Sequence, residues 1–398
     1  METFPHPRHT TSETPKTAAA NYPIAFNKPS IVGRELEHVR EAIERGRISG
    51  DGHFTKKCSE ILEEELGVSK AFLTTSCTHA LEMAAILLNL QPGDEVIVPS
   101  FTFVTTVNAF VLHGARPIFA DIRPDTLNID ETKLKSLITP RTRAIIPVHY
   151  AGVSCEMEEI QSLADQNGLV IVEDNAHGLF GKYKGRELGT FGTFATLSFH
   201  ETKNFSCGEG GALLINDPTY VARAEIIREK GTDRSQFFRG QVDKYTWTDV
   251  GSSYLPSDML AAHLYGQLEA RTKIQSIRSK IWHNYFDRLG AWADARQVAL
   301  PVIPVHCDQS YHMFYLILPS LAVRSRLIQH LKERGILAVY HYLALNVSPM
   351  GRKFGGNPGD CPITEDVSDR LLRLPFFNSL DEQTQDCVIE TILEFDAW

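Results

Sequence analysis

Apolar residues recur along the chain in two rhythms. Short unbroken runs have the length and composition of strands buried on both faces: Ala71–Thr75, Glu95–Val98, Arg116–Ala120, Ala144–Val148, Leu169–Asp174, Ala195–His200 and Gly211–Ile215. Between most of them the apolar spacing changes to three and four. Gly33–Glu44 is the first example, with Leu36, Val39 and Ile43 on one face. The same spacing predicts helices over Thr55–Leu66, Ala80–Asn89, Val104–His113, Asp130–Ile138 and Glu156–Asn167. Continuous apolar strands alternating with helices predict an α/β fold whose mostly parallel sheet is covered on both faces.

Beyond Ile215 the pattern changes. Lys230–Pro256 is long, polar and weakly periodic, and it carries Arg234, Phe237, Phe238, Arg239, Lys244, Tyr245 and Trp247. A connection of that length in a compact protein is functional or disordered. One long helix is predicted from Ser257 to about Leu289. Strands at Met313–Leu318 and Ala338–Tyr340 follow, with helices at Arg324–Arg334 and Asp381–Glu394. The chain thus divides into a tail (1–21), a large α/β domain (22–264) and a smaller α+β domain (265–398). The tail Met1–Asn21 is rich in Pro, Thr and Ala and lacks an apolar stretch, so it reads as a disordered segment and not as a secretory signal. Glu2 and Glu13 also argue against an organelle-targeting segment.

A length of 398 residues fits this division. Lys plus Arg number 40 and Asp plus Glu 49, a net charge of −9 that gives no footprint for nucleic acid or an anionic membrane. No apolar run approaches the ~20 residues that span a bilayer. The seven cysteines are scattered and contain no C-x-x-C pair. They predict reduced thiols in a cytoplasmic setting, and neither a disulfide framework nor a zinc site.

Three features carry chemistry. Ser76-Cys-Thr78 lies at a strand-to-helix turn, where free N–H groups and the helix dipole hold a phosphate or where a hydroxyl simply caps the helix. Asp174 ends the strand Leu169–Asp174, at the edge where ligands of open α/β sheets gather. A carboxylate there is a cap, a metal ligand or a partner for a protonated ring nitrogen. Lys203 stands between a short apolar strand and the turn Gly208-Glu-Gly-Gly211, either solvated or held among apolar walls as a Schiff-base lysine. Taken together, a phosphate seat, a carboxylate and an amine in that order are what pyridoxal phosphate requires. Phe103, in Pro99-Ser-Phe-Thr-Phe103, offers an aromatic face for the ring.

The motif set resembles the DegT/DnrJ/EryC1/StrS sugar aminotransferases, fold type I pyridoxal phosphate enzymes, from about Tyr22 to the C-terminus. The resemblance rests on Thr75-Ser-Cys-Thr78, Pro-Gly-Asp-Glu-Val96, Pro99–Phe103, Pro147-Val-His-Tyr-Ala-Gly152, Glu173-Asp-Asn-Ala-His177, Ser198–Lys203 and Gly208–Gly211. Within the family, the likeness is closer to the dTDP-4-amino-4,6-dideoxygalactose transaminases. It is carried by Ser198-Phe-His-Glu-Thr-Lys-Asn204, Glu229-Lys-Gly-Thr232, Arg234–Trp247 and Gly251-Ser-Ser-Tyr-Leu255. The resemblance implies a seven-stranded sheet domain, a homodimer with shared sites, and transfer of the amino group of L-glutamate to the C4 ketone of dTDP-4-dehydro-6-deoxy-D-glucose.

The resemblance also assigns roles. Lys203 would hold the cofactor's aldehyde and shuttle the proton, and Asp174 would pair with the pyridine nitrogen. His177 would lie near the ring hydroxyl, Phe103 would stack, and Cys77, Thr78 and Ser198 would hold the phosphate. Ser253 stands where many relatives use an asparagine from the neighbouring subunit. His200, Arg234, Lys244, Tyr245 and His341 are the expected substrate contacts. Asn346 replaces a common histidine. A dehydratase branch of this fold has histidine at the position of Lys203, so the lysine argues for transamination. It equally argues against a non-catalytic binding protein. Transfer to another carbon, or to a UDP- or GDP-linked sugar, is the alternative within the same chemistry.

Overall fold

The computed structural model describes residues 23–397. The expected disordered tail, residues 1–21, lies outside them. Among the described residues nine strands lie between Lys70 and Ile215: β1 (Lys70–Thr74), β2 (Glu95–Pro99), β3 (Arg116–Ala120), β4 (Thr142–Ile145), β5 (Val170–Asp174), the short hairpin β6 (Lys182–Tyr183) and β7 (Arg186–Glu187), β8 (Phe194–Ser198) and β9 (Gly211–Ile215). Seven of these make one sheet in the order β1-β9-β8-β5-β4-β2-β3. Every pairing is parallel except those of β9, which runs antiparallel to both β1 and β8.

Strand alternation splits the apolar residues between two faces. Phe72, Val96, Val98, Val172, Phe194 and Leu213 pack under the helix Cys77–Leu87. Ala71, Leu73, Leu197 and Leu214 face the opposite helical layer, where His53–Leu66 and Asp258–Glu269 lie. Ile97, Ile145 and Ile171 continue that second face beside Met157–Asn167. The sheet is therefore buried on both sides, as its unbroken apolar strands require.

The predicted helix from Ser257 is two helices, Asp258–Glu269 and Arg271–Ala295, separated at Ala270 (φ −86°, ψ 10°). No glycine or proline marks that break. Packing explains it: residues up to Ile274 belong to the core of the large sheet, and from Ile281 onward to a second core. The expected boundary at 264/265 falls inside the first of these helices. The second core surrounds a small antiparallel sheet. After the short β10 (Cys307–Asp308), which pairs with β6, its strands are β11 (Tyr315–Ile317), β12 (Val339–Tyr340) and β13 (Leu371–Arg373), in the order β11-β13-β12. The first described residues also join this region, because Ile24 bridges Ile336 and Phe376 N donates to Phe26 O. Among the described residues no helix is long and apolar enough to cross a membrane.

Candidate active site

A cavity of about 680 Å³ opens at the carboxyl ends of the parallel strands. Its lining includes Cys77, Thr78, Phe103, Asp174, His177, Ser198, His200, Lys203 and His341. One glycine explains why the first of these meet. Gly211 opens β9, opposite Thr74 on one side and Ser198 on the other. A Cβ on Gly211 would stand 2.4 Å from Cys77 N and from Ser76 C. The glycine lets β9 run directly beneath the start of the helix, so Ser198 and the Cys77–Thr78 turn lie side by side.

Ser76 caps that helix by accepting from His79 N at 3.1 Å, so the capping reading is correct for Ser76 itself. The N–H groups of Cys77 and Thr78, in the first helical turn, have no intrahelical acceptor and are free for an anion. The Cys77 thiol is held well above its ordinary pKa by burial and by the charge of Asp174, and stays protonated. It donates toward Thr196 Oγ1 at 3.5 Å.

Asp174 and Glu173 end β5 on opposite faces. Asp174 turns toward the cavity, where Oδ2 accepts from Thr106 Oγ1 at 2.7 Å and Oδ1 from Ala176 N at 3.2 Å. Glu173 is fully buried behind it. It accepts from the backbone N–H groups of Gly189, Phe191 and Gly192 at 2.7–2.8 Å and lies 2.9 Å from His149 Nε2. That cluster fixes the end of β5. Its signal in the sequence is the first carboxylate of the Glu173-Asp174 pair and the histidine of Pro147–Gly152.

Lys203 forms no ion pair among the described residues, and its pKa falls to about 8. Burial is the main cause and Arg373 adds to it, against the opposing pull of Cys77 and Asp174. The turn behind it is pinned by Asn204, whose Nδ2 donates to Ser310 O at 2.6 Å and whose Oδ1 meets His312 Nδ1 at 2.8 Å. His312 stacks on His177 with ring centroids 4.1 Å apart. Burial first, then the nearby cations, push His177, His312 and His341 well below the usual imidazole range, so all three are neutral. His177 Nδ1 is buried without a partner among the described residues. Phe103, 53% exposed, stands over the cavity mouth 6.2 Å from the Tyr342 ring.

These groups fit pyridoxal phosphate on the structure's own terms. An unpaired amine of lowered pKa, a fixed carboxylate, an orphaned neutral imidazole and a free helix turn beside hydroxyls all face one space.

A family model describing the DegT/DnrJ/EryC1/StrS aminotransferases matches residues 29–393. The chain belongs to that family. It is 32% identical over 388 residues to the spore coat polysaccharide biosynthesis protein SpsC of Bacillus subtilis (strain 168), covering 94% of this chain and 97% of that protein. It is also 32% identical over 377 residues to the GDP-perosamine synthase of Escherichia coli O157:H7, covering 94% and 98%. The fold matches the putative sugar aminotransferase Spr1654 of Streptococcus pneumoniae in its PMP-form, with a TM-score of 0.86, 26% identity and coverage of 93% and 98%. As a member, the chain is a pyridoxal phosphate-dependent aminotransferase on the fold type I architecture.

Other expected site residues of this aminotransferase lie elsewhere on the single chain. Ser253 is exposed and lines a second cavity of about 990 Å³ with Arg234, Arg47, Arg228 and Lys230. Among the described residues none lines both cavities. Lys244 and Tyr245 are exposed and line neither. Asn346 is fully buried away from the cavity: it accepts from Ser100 Oγ and donates to Asn357 O and Glu365 Oε1, which makes it a fastening residue. Sequence reasoning missed Thr106, His312, Tyr342 and Arg373, all of which line the first cavity.

Proposed function

We propose that the protein transfers the amino group of L-glutamate to the C4 ketone of dTDP-4-dehydro-6-deoxy-D-glucose. The products are dTDP-4-amino-4,6-dideoxy-D-galactose and 2-oxoglutarate. The observation that carries the transamination is the convergence of Lys203, Asp174 and the free Cys77–Thr78 turn on one cavity. The substrate is argued from the residues of Glu229–Thr232, Arg234–Trp247 and Gly251–Leu255, which resemble the branch that makes this product.

Bound pyridoxal phosphate supplies an electron sink for charge developing on the carbon that bears the amine. The chain's own residues do the rest. The N–H groups of Cys77 and Thr78, with the hydroxyls of Thr78 and Ser198, seat the phosphate. Asp174, fixed by Thr106 and Ala176 N, aims negative charge at the ring nitrogen. Neutral His177 offers its unpartnered Nδ1 to the ring hydroxyl. Lys203 Nζ would hold the cofactor's aldehyde; displaced there by the donor's amine, it would be free to take a proton from the donor carbon and later to return one to the sugar carbon. Delivery from this one side of the cavity sets the stereochemistry at C4. Kinetics are then ping-pong.

Ser253 and Arg234 belong to this reading through a second subunit. On one chain they line a separate cavity, and a homodimer would let one subunit's 230–256 loop complete its partner's site. Phe238, Tyr245 and Trp247 support an interface there, since all three are exposed and Trp247 is 78% so.

The test uses purified protein, L-glutamate and a panel of dTDP-, UDP- and GDP-linked 3- and 4-keto-sugars, with products identified by mass and NMR. The dTDP 4-keto-sugar is expected to be aminated at the highest kcat/KM. A GDP-linked substrate is the second reading, supported by the GDP-perosamine synthase relative, and a preference for it would replace the first. Lys203→Ala is expected to abolish turnover and the pyridoxyl peptide recovered after borohydride reduction. Full activity in that variant would sink the transaminase mechanism.

A further inference from the structure

One histidine of the cavity has no task in the steps above. His312 lines the cavity beside His177 and is buried. Its segment grips His177 at two places. The His312 ring lies on the His177 ring, with centroids 4.1 Å apart and planes 14° from parallel. Two residues earlier, Ser310 Oγ donates to His177 O at 2.5 Å. The segment itself is held from behind. Ser310 N donates to Gly152 O at 3.1 Å, and buried Arg278 donates to Tyr311 O at 2.9 Å and to His312 O at 2.5 Å.

Asn204 decides which way the His312 ring faces. A backbone carbonyl only accepts, so the atom of Asn204 on Ser310 O is the amide nitrogen. That leaves Oδ1, an acceptor, 2.8 Å from His312 Nδ1. By this assignment Nδ1 carries the hydrogen, Nε2 keeps a lone pair, and the ring cannot turn over without losing the bond. Burial first, then Lys203 and Arg373, keep both rings neutral, and Arg278 adds to the effect on His312. Tyr150 and His341 are the other titratable rings at the pair, 5.9 and 6.3 Å from His177 between centroids. The carboxylate of Asp174 shares the cavity and accepts from Thr106 and Ala176. Any apolar side chain would fill the space behind His177. A parallel stack on a ring of fixed orientation does more, because it sets the plane of the second ring. His177 needs that restraint, since no partner among the described residues holds its Nδ1. Asn204 directly follows Lys203, so the same contacts tie His177 to the lysine turn.

We propose that His312 is a positioning residue, which holds the His177 imidazole in the orientation that offers Nδ1 to the ring hydroxyl of bound pyridoxal phosphate. This rests on the reading of the cavity as a transaminase site. The experiment titrates the absorbance of holoenzyme with pH. The bound cofactor changes colour when the group on Lys203 loses its proton, and a hydrogen bond at the ring hydroxyl moves the midpoint of that change. His177→Phe is expected to move the midpoint by about one pH unit. His312→Leu leaves His177 in place but free to turn, and is expected to move the midpoint in the same direction by about half as much or more. In the double variant the His312 change should add nothing to the His177 change, a result that general loosening of the cavity would not give. His312→Gln keeps a donor for Asn204 without a ring to stack; it should behave as His312→Leu does, and it decides alone if the leucine variant does not fold. A midpoint unmoved by the His312 variants overturns the assignment. So does one unmoved by His177→Phe, or a double variant that shifts by the sum of the two. Borohydride trapping in the same samples separates the two levels. Wild type with no pyridoxyl group on Lys203 removes the transaminase reading and this proposal with it. Trapped cofactor with a midpoint indifferent to His312 removes only the role of His312.

Discussion

Lys203 can act as nucleophile or base only in the fraction of molecules that have lost its ammonium proton. With a pKa of about 8, roughly one amine in ten is free at pH 7, against fewer than one in a thousand for an ordinary lysine. The sign follows from burial: it disfavours the charged form, so the free amine appears at lower pH. The rate at which apoprotein captures pyridoxal phosphate should therefore rise nearly tenfold per pH unit below 8 and level off above it. Stopped-flow absorbance across pH 6–10 checks this, and a rate still climbing through pH 9.5 would contradict the lowered pKa. Asp174 is graded in the same way. Asp174→Asn should keep most cofactor but lose at least 100-fold in kcat, whereas Thr106→Val, which removes one 2.7 Å donor to the carboxylate, should cost about tenfold. Equal kinetics for wild type and Asp174→Asn would remove its role.

Single elements carry the site, and their legibility varied with how local their signals are. The ends of β1, β5 and β8 could be read because an unbroken apolar run stops at a recognisable polar residue: Ser76, Asp174, and the Ser198–Lys203 turn. β13 gave no such signal. Leu371-Leu372-Arg373 is three residues long, does not alternate, and becomes a strand only by pairing with β11 and β12, both distant in sequence. Arg373 was invisible for that reason. Likewise the break at Ala270 comes from a change of packing partner and leaves no mark in the local sequence. Gly211 shows the opposite case, a residue whose identity is visible but whose reason is three-dimensional. Gly211→Ala would press a methyl against the backbone of Ser76 and Cys77 and force β9 away from the phosphate turn. We expect a loss of about 3 kcal/mol in urea unfolding and at least tenfold weaker cofactor binding. A variant as stable and as tightly loaded as wild type would mean that the two elements are not locked together.

At the scale of the whole molecule, the unsolved piece of the sequence reading is the group Ser253, Arg234, Lys244 and Tyr245, expected at one site with Lys203 but held apart from it on a single chain. If a second subunit joins them, each site takes Lys203 from one chain and the 230–256 loop from the other. That has a consequence no single-chain site can imitate. Lys203→Ala protein should be inactive because every site lacks the amine. Protein carrying both Ser253→Ala and Arg234→Ala should be impaired at every site by the loss of a donor and a cation. When the two are denatured together in equal amounts and refolded, half the dimers are mixed. In a mixed dimer with shared sites, one site collects both defects and the other collects none. Roughly a quarter of wild-type activity should therefore return from two poorly active parents. If every site is built from one chain, the mixed dimer holds one copy of each defect, and refolding restores nothing beyond the average of the parents. Sedimentation of the refolded mixture, run beside the assay, shows whether dimers formed. Dimers without recovered activity would place Ser253 and Arg234 outside the transferring site.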